Sequence, residues 1–312
     1  MISMRYHIVS LAAVFLALAL GVVFGATKIS SPILAGLQDD KASLSSQTDD
    51  LTSTNEDLTS RVSSDEKFAG SVAQLTVRGT LPGSNVVLIT TATADPADRD
   101  AVLSLLNRAG ATVTAQIQVT NDFSDPARAD ELRAVATQTL PTGVTLPEVP
   151  QAGAIAGGLL ASVLIADKDG KVTASPEQSA AVLAALTSAG FITVTGTPAA
   201  GQSVVILSGA EVTGGSEADK AATVADLAGQ LKKTAAGVVV AGRTGSEQPT
   251  GTVGVIRGDT AISATVTTVD DVDTASGRLA AVLGLVEQNG GGVGRYGLGE
   301  NAQAQVPTLA VG

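Results

Sequence analysis

The sequence predicts an α/β protein held behind a membrane anchor: an N-terminal transmembrane helix, a coiled-coil stalk, then a mostly parallel three-layer α/β domain. Three observations predict it. An uncharged apolar run opens the chain, and leucines then recur every seven residues. From residue 81, short β-branched runs alternate with Ala- and Leu-rich helical stretches. That alternation builds a parallel sheet with helices on its faces.

The opening run reads "MISMRYHIVSLAAVFLALALGVVFGA". Residues 8–26 carry no charge, and a helix of that length spans roughly 28 Å, close to the ~30 Å hydrocarbon core. A cleaved signal has a shorter apolar stretch and a small-x-small exit, and "VVFGATK" offers only a poor one. The run is therefore read as a retained anchor. Its apolar surface comes from Ile8, Leu11, Val14, Phe15, Leu16, Leu18, Leu20, Val22 and Val23. Arg5 and the terminal amine precede it, while Asp39 and Asp40 follow a single Lys28. That asymmetry keeps residues 1–7 in the cytoplasm and exports the rest across the plasma membrane to the periplasmic side. A second span is not expected, because "AGAIAGGLLASVLIAD" is too short and too rich in Gly and Ala. Nor is an outer-membrane barrel, since five Phe, two Tyr and no Trp cannot supply two aromatic girdles.

Residues 27–80 read as a stalk. Leu37, Leu44, Leu51 and Leu58 occupy every seventh position, with Leu34 and Val62 on the partner seam. Leu then sits at d, and Lys41, Thr48 and Asn55 sit at a. Asn55 at a favours a parallel dimer in register, so a homodimer is expected. The polar a positions leave a solvated single helix or spacer equally open.

Residues 81–312 read as the extracytoplasmic α/β domain. "SNVVLIT" is a strand, "PADRDAVLSLLNRAG" a helix and "ATVTAQIQV" a strand again. The unit recurs as "SPEQSAAVLAALTSAG" with "FITVTG", and as "EADKAATVADLAGQLKKTAAG" with "VVVAG". Further strands are expected at "GQSVVILSG", "TGTVGVIRG" and "SATVTTV", and a last helix at "TASGRLAAVLGLVEQN". Asp95-Pro96, Asp125-Pro126 and Ser175-Pro176 each pair an N-cap oxygen with a proline that has no N–H to lose, and Gln178 completes a capping box. Gly110, Gly190 and Gly237 are read as left-handed caps that release the chain into the next strand.

Composition narrows the function. A net charge of −11 without a basic cluster repels a phosphate backbone, so no nucleic-acid partner is expected. Without cysteine there is neither a disulfide nor thiolate chemistry. The single histidine, His7, precedes the anchor, so a Ser–His–Asp triad lacks a part. No glycine motif lies in a nucleotide-binding context. The protein is read as non-enzymatic, with no cofactor and no catalytic or metal residue assigned. Asp95, Asp98, Asp270, Asp271 and Asp273 follow strands, where a metal or phosphoacceptor role competes with capping of the next helix; capping is favoured. A sensor domain holding a small ligand at the strand ends stays open. "NGGGVGRYGLGEN" reads as a flexible terminal loop, in which Arg295 and Tyr296 either dock the run on the domain or meet a partner; packing is favoured.

"RYH" leading into "VSLAAVFLALALG", the leucine heptads, the α/β domain and the late "GRYGLG" together resemble the actinobacterial copper transporter (MctB) family. Arg295 stands before the tyrosine where the resemblance leads one to expect His. That family is similar to the corynebacterial cell-separation factor SteB, which works with a membrane partner, SteA, in controlling a peptidoglycan hydrolase. The resemblance thus implies two functions of different classes. One is a scaffold in cell separation, pairing with a SteA-like membrane protein and supporting peptidoglycan hydrolase activation. The other is a copper transport or efflux channel. Copper favours thiolate, thioether or imidazole donors, and Met1, Met4 and His7 all precede the anchor. The scaffold is expected, with copper transport as the alternative.

Overall fold

The computed structural model describes residues 4–167, 170–211 and 215–308, apart from the side chains of residues 26–35. Met1 and the side chains of Lys28 and Leu34 therefore lie outside the described residues. The chain divides into two compact units, Met1–Ser64 and Asp65–Gly312.

The described part of the first unit belongs to one helix, α1 (Met4–Thr76). Its stalk portion is rich in Ser and Thr, which tend to compete for backbone partners. Here the hydroxyls of Thr48, Thr52 and Thr54 each bond the carbonyl four residues back at 2.8 Å. Arg61 and Asp57 pair across one turn at 3.0 Å.

The second unit begins inside α1, upstream of residue 81. Ala73 and Val77 are buried in its core. Gln74 accepts a hydrogen bond from Arg108 at 3.0 Å. The elements that follow are β1 (Asn85–Thr90), α2 (Pro96–Ala109), β2 (Thr112–Val119), α3 (Asn121–Ser124), a 3-10 turn (Pro126–Arg128) and α4 (Ala129–Gln138). Next come α5 (Ala152–Leu164), α6 (Pro176–Ser188), β3 (Ile192–Thr195), β4 (Ser203–Leu207), α7 (Glu217–Lys232) and β5 (Gly237–Ala241). The unit ends with α8 (Thr252–Gly258), α9 (Thr260–Ser263), β6 (Thr267–Val269), α10 (Ala275–Asn289) and β7 (Arg295–Tyr296).

These strands form one seven-stranded sheet in the order β3-β2-β1-β4-β5-β6-β7. Every pair is parallel except β2–β3. The continuous runs "SVVIL" and "GVVVA" are buried at every position, as a sheet covered on both faces requires. Val87, Ile89, Val204 and Val238 face a core closed by α4 to α8. Val86, Leu88, Val205 and Val239 face the opposite core, closed by α2, α10 and the end of α1.

Local signals act as their chemistry suggests. Asp95 and Asp125 accept from the backbone two residues on, and Ser175 with Gln178 forms the capping box. Gly110 and Gly190 take left-handed caps. Gly237 does not. It opens β5 in ordinary extended geometry, and a Cβ there would lie 2.9 Å from Gln288 Cβ on α10.

"TGTVGVIRG" is not a strand. It forms α8, in which Val253 and Ile256 are buried at a spacing of three. The β-branched composition suggested a period of two, and tertiary packing of one helical stripe overrides that preference. "AGAIAGGLLASVLIAD" forms α5, a buried core helix. Its small residues let two backbones close up: a Cβ on Gly153 would sit 2.2 Å from the Thr223 carbonyl oxygen of α7. Gly153→Ala is therefore expected to force α5 and α7 apart at a cost of about 1–3 kcal/mol. Thermal unfolding of the variant checks this, and an unchanged midpoint would contradict the contact.

Candidate functional site

In the first unit, Met4–Gly25 is a 22-residue stretch long and apolar enough to cross a membrane. All nine anchor residues, Ile8 to Val23, are exposed side chains on it. The stalk presents a second apolar feature. Leu37, Leu44, Leu51, Leu58 and Val62 are each more than half exposed, at heptad spacing along one helix. The side chain of Asn55 accepts only a long bond, 3.3 Å from Thr59. Leu34 lies outside the described residues. Exposed leucines at this period are what a partner helix covers in a two-stranded coil.

In the second unit, ligands of open α/β sheets gather at the carboxyl ends of the strands, where the winding reverses. That point lies between β1 and β4. The crevice there measures 150 Å³ and is lined by Thr91, Thr93, Thr120, Asn121, Glu217 and Lys220 among others. Its polar groups are largely spent on one another. Thr91 and Thr93 hydroxyls lie 3.0 Å apart, Thr93 also accepts from the Gly209 N–H, and Lys220 pairs with Glu217 at 3.2 Å. Among the described residues, no group of three or more His, Cys, Asp or Glu is placed to hold a metal ion.

The five aspartates separate on inspection. Asp95 caps α2 and also meets Arg243 at 2.7 Å. Asp98, in the first turn of α2, is buried between Arg243 at 3.4 Å and Arg278 at 3.6 Å. Burial raises its pKa despite both guanidinium groups. Asp273 accepts the Thr244 N–H and hydroxyl at 2.8 and 3.0 Å. None of Asp270, Asp271 and Asp273 is the N-cap of α10. Thr274 takes that role, accepting from the Gly277 N–H, and Glu66 near the end of α1 accepts from the Ala275 N–H at 2.7 Å.

Asp270 is the acidic half of a buried ion pair. Arg257 on α8 and Asp270 beyond β6 meet at 2.6 Å, with side chains 2% and 1% exposed. Three further guanidinium N–H groups donate to the Thr268 hydroxyl, the Tyr296 carbonyl and the Asn301 side chain. The second Asp270 oxygen accepts the N–H groups of Leu298 and Gly299 at 2.7 and 3.1 Å. A buried pair whose two members each make further hydrogen bonds is the arrangement that offsets desolvation. It fastens the terminal glycine run across the sheet end. Gly297 stands at φ +125°, and a Cβ there would overlap the Asp270 carboxylate. Tyr296 is 2% exposed and donates to Glu287 at 2.8 Å; burial and that neighbouring carboxylate raise its pKa. Arg295 points to solvent. The run is therefore a fitted strap rather than a flexible loop, with Tyr296 packed on the domain and Arg295 outside it. Sequence reasoning misses Arg257 because its segment reads as a strand and its partner lies in another element.

Two consequences are measurable. Arg257→Met leaves the Asp270 charge buried without its cation, a loss of about 3–5 kcal/mol. Faster amide exchange over residues 295–301 should accompany it, and unchanged exchange would contradict the fastening. Asp271 is fully buried with Oδ1 unpartnered, and burial pushes its pKa up to about 6. Between the unfolded value near 4 and this folded value, the native state holds the extra proton. Stability therefore falls as pH rises from about 4 to about 6, by up to roughly 3 kcal/mol from this group. Asp271→Asn should raise the melting temperature at pH 7.5 and leave it little changed at pH 4. Equal effects at both pH values would refute the assignment.

Comparison with known proteins matches the same length of chain. The family model described as copper transport outer membrane protein, MctB, matches residues 1–307. Proteins named copper transporter MctB from Mycobacterium tuberculosis and Mycobacterium bovis are each 37% identical over 313 residues, spanning 97% of this chain and 98% of their own. The Mycobacterium leprae protein of that name is 35% identical over 310 residues. From its apolar first helix to its terminal strap, the chain belongs to the MctB copper transport protein family.

Proposed function

We propose that the protein is a single-pass envelope protein that works through protein contacts, with its N-terminus in the cytoplasm and its bulk on the extracytoplasmic side. The observation that carries this reading is the exposed leucine row of the stalk, a surface suited to a partner helix rather than to a reaction. The second unit fits it, since its charged groups beside the strand ends mostly pair with one another. On this reading the chain forms a homodimer and serves as a non-enzymatic scaffold in cell separation. It pairs with a SteA-like membrane protein and supports activation of a peptidoglycan hydrolase, as the similarity to SteB implies.

The names of the mycobacterial relatives favour a second reading, copper transport or efflux. Here copper would be the cargo. The soft donors are Met1, Met4 and His7, all ahead of or at the start of the apolar helix, with no cysteine in the chain. A conduit built from this helix would need several copies, and it has no polar stripe to line water.

One deletion strain separates the two. The scaffold reading expects chained or unseparated cells, normal copper content, and crosslinking of the tagged full chain to a SteA-like protein in the complemented strain. Normal septation with copper accumulation, together with copper-selective conductance of the purified protein in liposomes, would overturn it in favour of transport.

A further inference from the structure

A large groove of the second unit lies away from the strand-end crevice. It measures 930 Å³, within the range of binding clefts, and runs between α6 and the chain from Val194 to Ala200. Leu164, Ala174, Leu183, Ala184 and Val194 line it, and its polar side chains are hydroxyls, such as those of Ser179 and Thr187. Among the described residues lining it, none is charged, on a chain of net charge −11. Such a wall disfavours charged occupants and accepts uncharged, apolar ones.

The groove begins at an open sheet edge. β3 is the terminal strand, paired with β2 on one side only. Thr120 N–H donates to Phe191 C=O at 3.0 Å, and the register continues as Val119↔Ile192 and Gln118↔Thr193. Antiparallel alternation then turns the backbone groups of Thr193 and Thr195 toward β2. Those of Ile192 and Val194 point outward from the sheet. The edge carries neither Lys nor Pro within β3, the usual guards against added strands. Backbone donors and acceptors in a row beside an apolar groove match an extended polypeptide better than they match an acyl chain, which has nothing to offer the edge.

We propose that the β3 edge and this groove together form a docking site for an extended, uncharged segment of a partner protein. The segment adds as a further strand beside β3 and lays alternate apolar side chains in the groove. The inference rests on the reading of the chain as a protein-contact module. It is tested with purified components, so its failure is distinct from a failure of the deletion experiment.

The probe is a capped hexapeptide of alternating Thr and Val, offered to the full chain in nanodiscs, with residue-resolved hydrogen exchange as the readout. Saturable binding at roughly millimolar concentration or tighter is expected. Exchange at the Ile192 and Val194 amides should slow at least tenfold, and exchange at Thr193, already bonded to β2, should not change. The same peptide with Lys in place of Val should not bind. Val194→Pro removes one outward N–H, and Ala184→Glu places a carboxylate on an exposed groove position. Each should weaken the peptide at least tenfold with the melting temperature unchanged; if the proline variant unfolds, Ala184→Glu carries the test. Absent slowing, equal binding of the Lys peptide, or indifference to Ala184→Glu would overturn the proposal. So would a dodecyl chain that fills the groove in place of the peptide without protecting the edge, or protection that appears with protein concentration alone, which would assign the site to a second copy.

Discussion

A core with almost no rings has to find its density in backbone proximity. Five Phe, two Tyr and no Trp serve 312 residues, so Ala, Val, Leu and Ile must fill the layers on both faces of the sheet. Small side chains pack to interior density only when the elements carrying them come close. Gly153 against Thr223, and Gly237 under Gln288, show how close. The chain's high Gly and Ala content follows from this constraint. The run in α5 looked like a second membrane segment by composition alone, yet it is the seam along which two helices press together.

The same economy shapes the polar side. With one histidine and no cysteine, the carboxyl ends of the strands hold mainly Asp, Arg and hydroxyl groups. Those groups are tied to one another and to the terminal strap. Arg257 and Asp270 convert a glycine-rich tail into part of the sheet end. The strap closes the β6 end of the sheet, while the crevice between β1 and β4, where doubly wound folds receive ligands, is lined by other segments. Exposed apolar surface among the described residues includes the first helix, the leucine row and the groove beside β3.

Much of this was legible in the sequence, and the failures have identifiable causes. The anchor and the heptad row are one-dimensional patterns, and they read directly. The α/β alternation and the caps at Asp95, Asp125 and Ser175 are local chemistry, and they stand where expected. The strand assigned to "TGTVGVIRG" failed because β-branched residues on a short helix imitate a strand until the buried face is known. Local reasoning favours a capping role for the aspartates after β6. Asp270 instead answers an arginine thirteen positions earlier in another element, and no local signal announces such a pair. Packing of the late glycine run is favoured from the sequence, but its fastening to Asp270 is hidden for the same reason. Glycines that suggest freedom are the residues a backbone needs to lie against a buried carboxylate.

The account depends most on the claim that one apolar helix tethers a folded body outside the plasma membrane. Because the chain contains no cysteine, single cysteines report position without background. Leu298→Cys, on an exposed residue of the strap, and Met4→Cys, at the start of the helix, are labelled with a membrane-impermeant maleimide in spheroplasts before and after lysis. A single tether with a cytoplasmic N-terminus gives labelling at 298 in intact spheroplasts and at 4 only after lysis. Labelling at 4 before lysis, with 298 reached only afterwards, would contradict it.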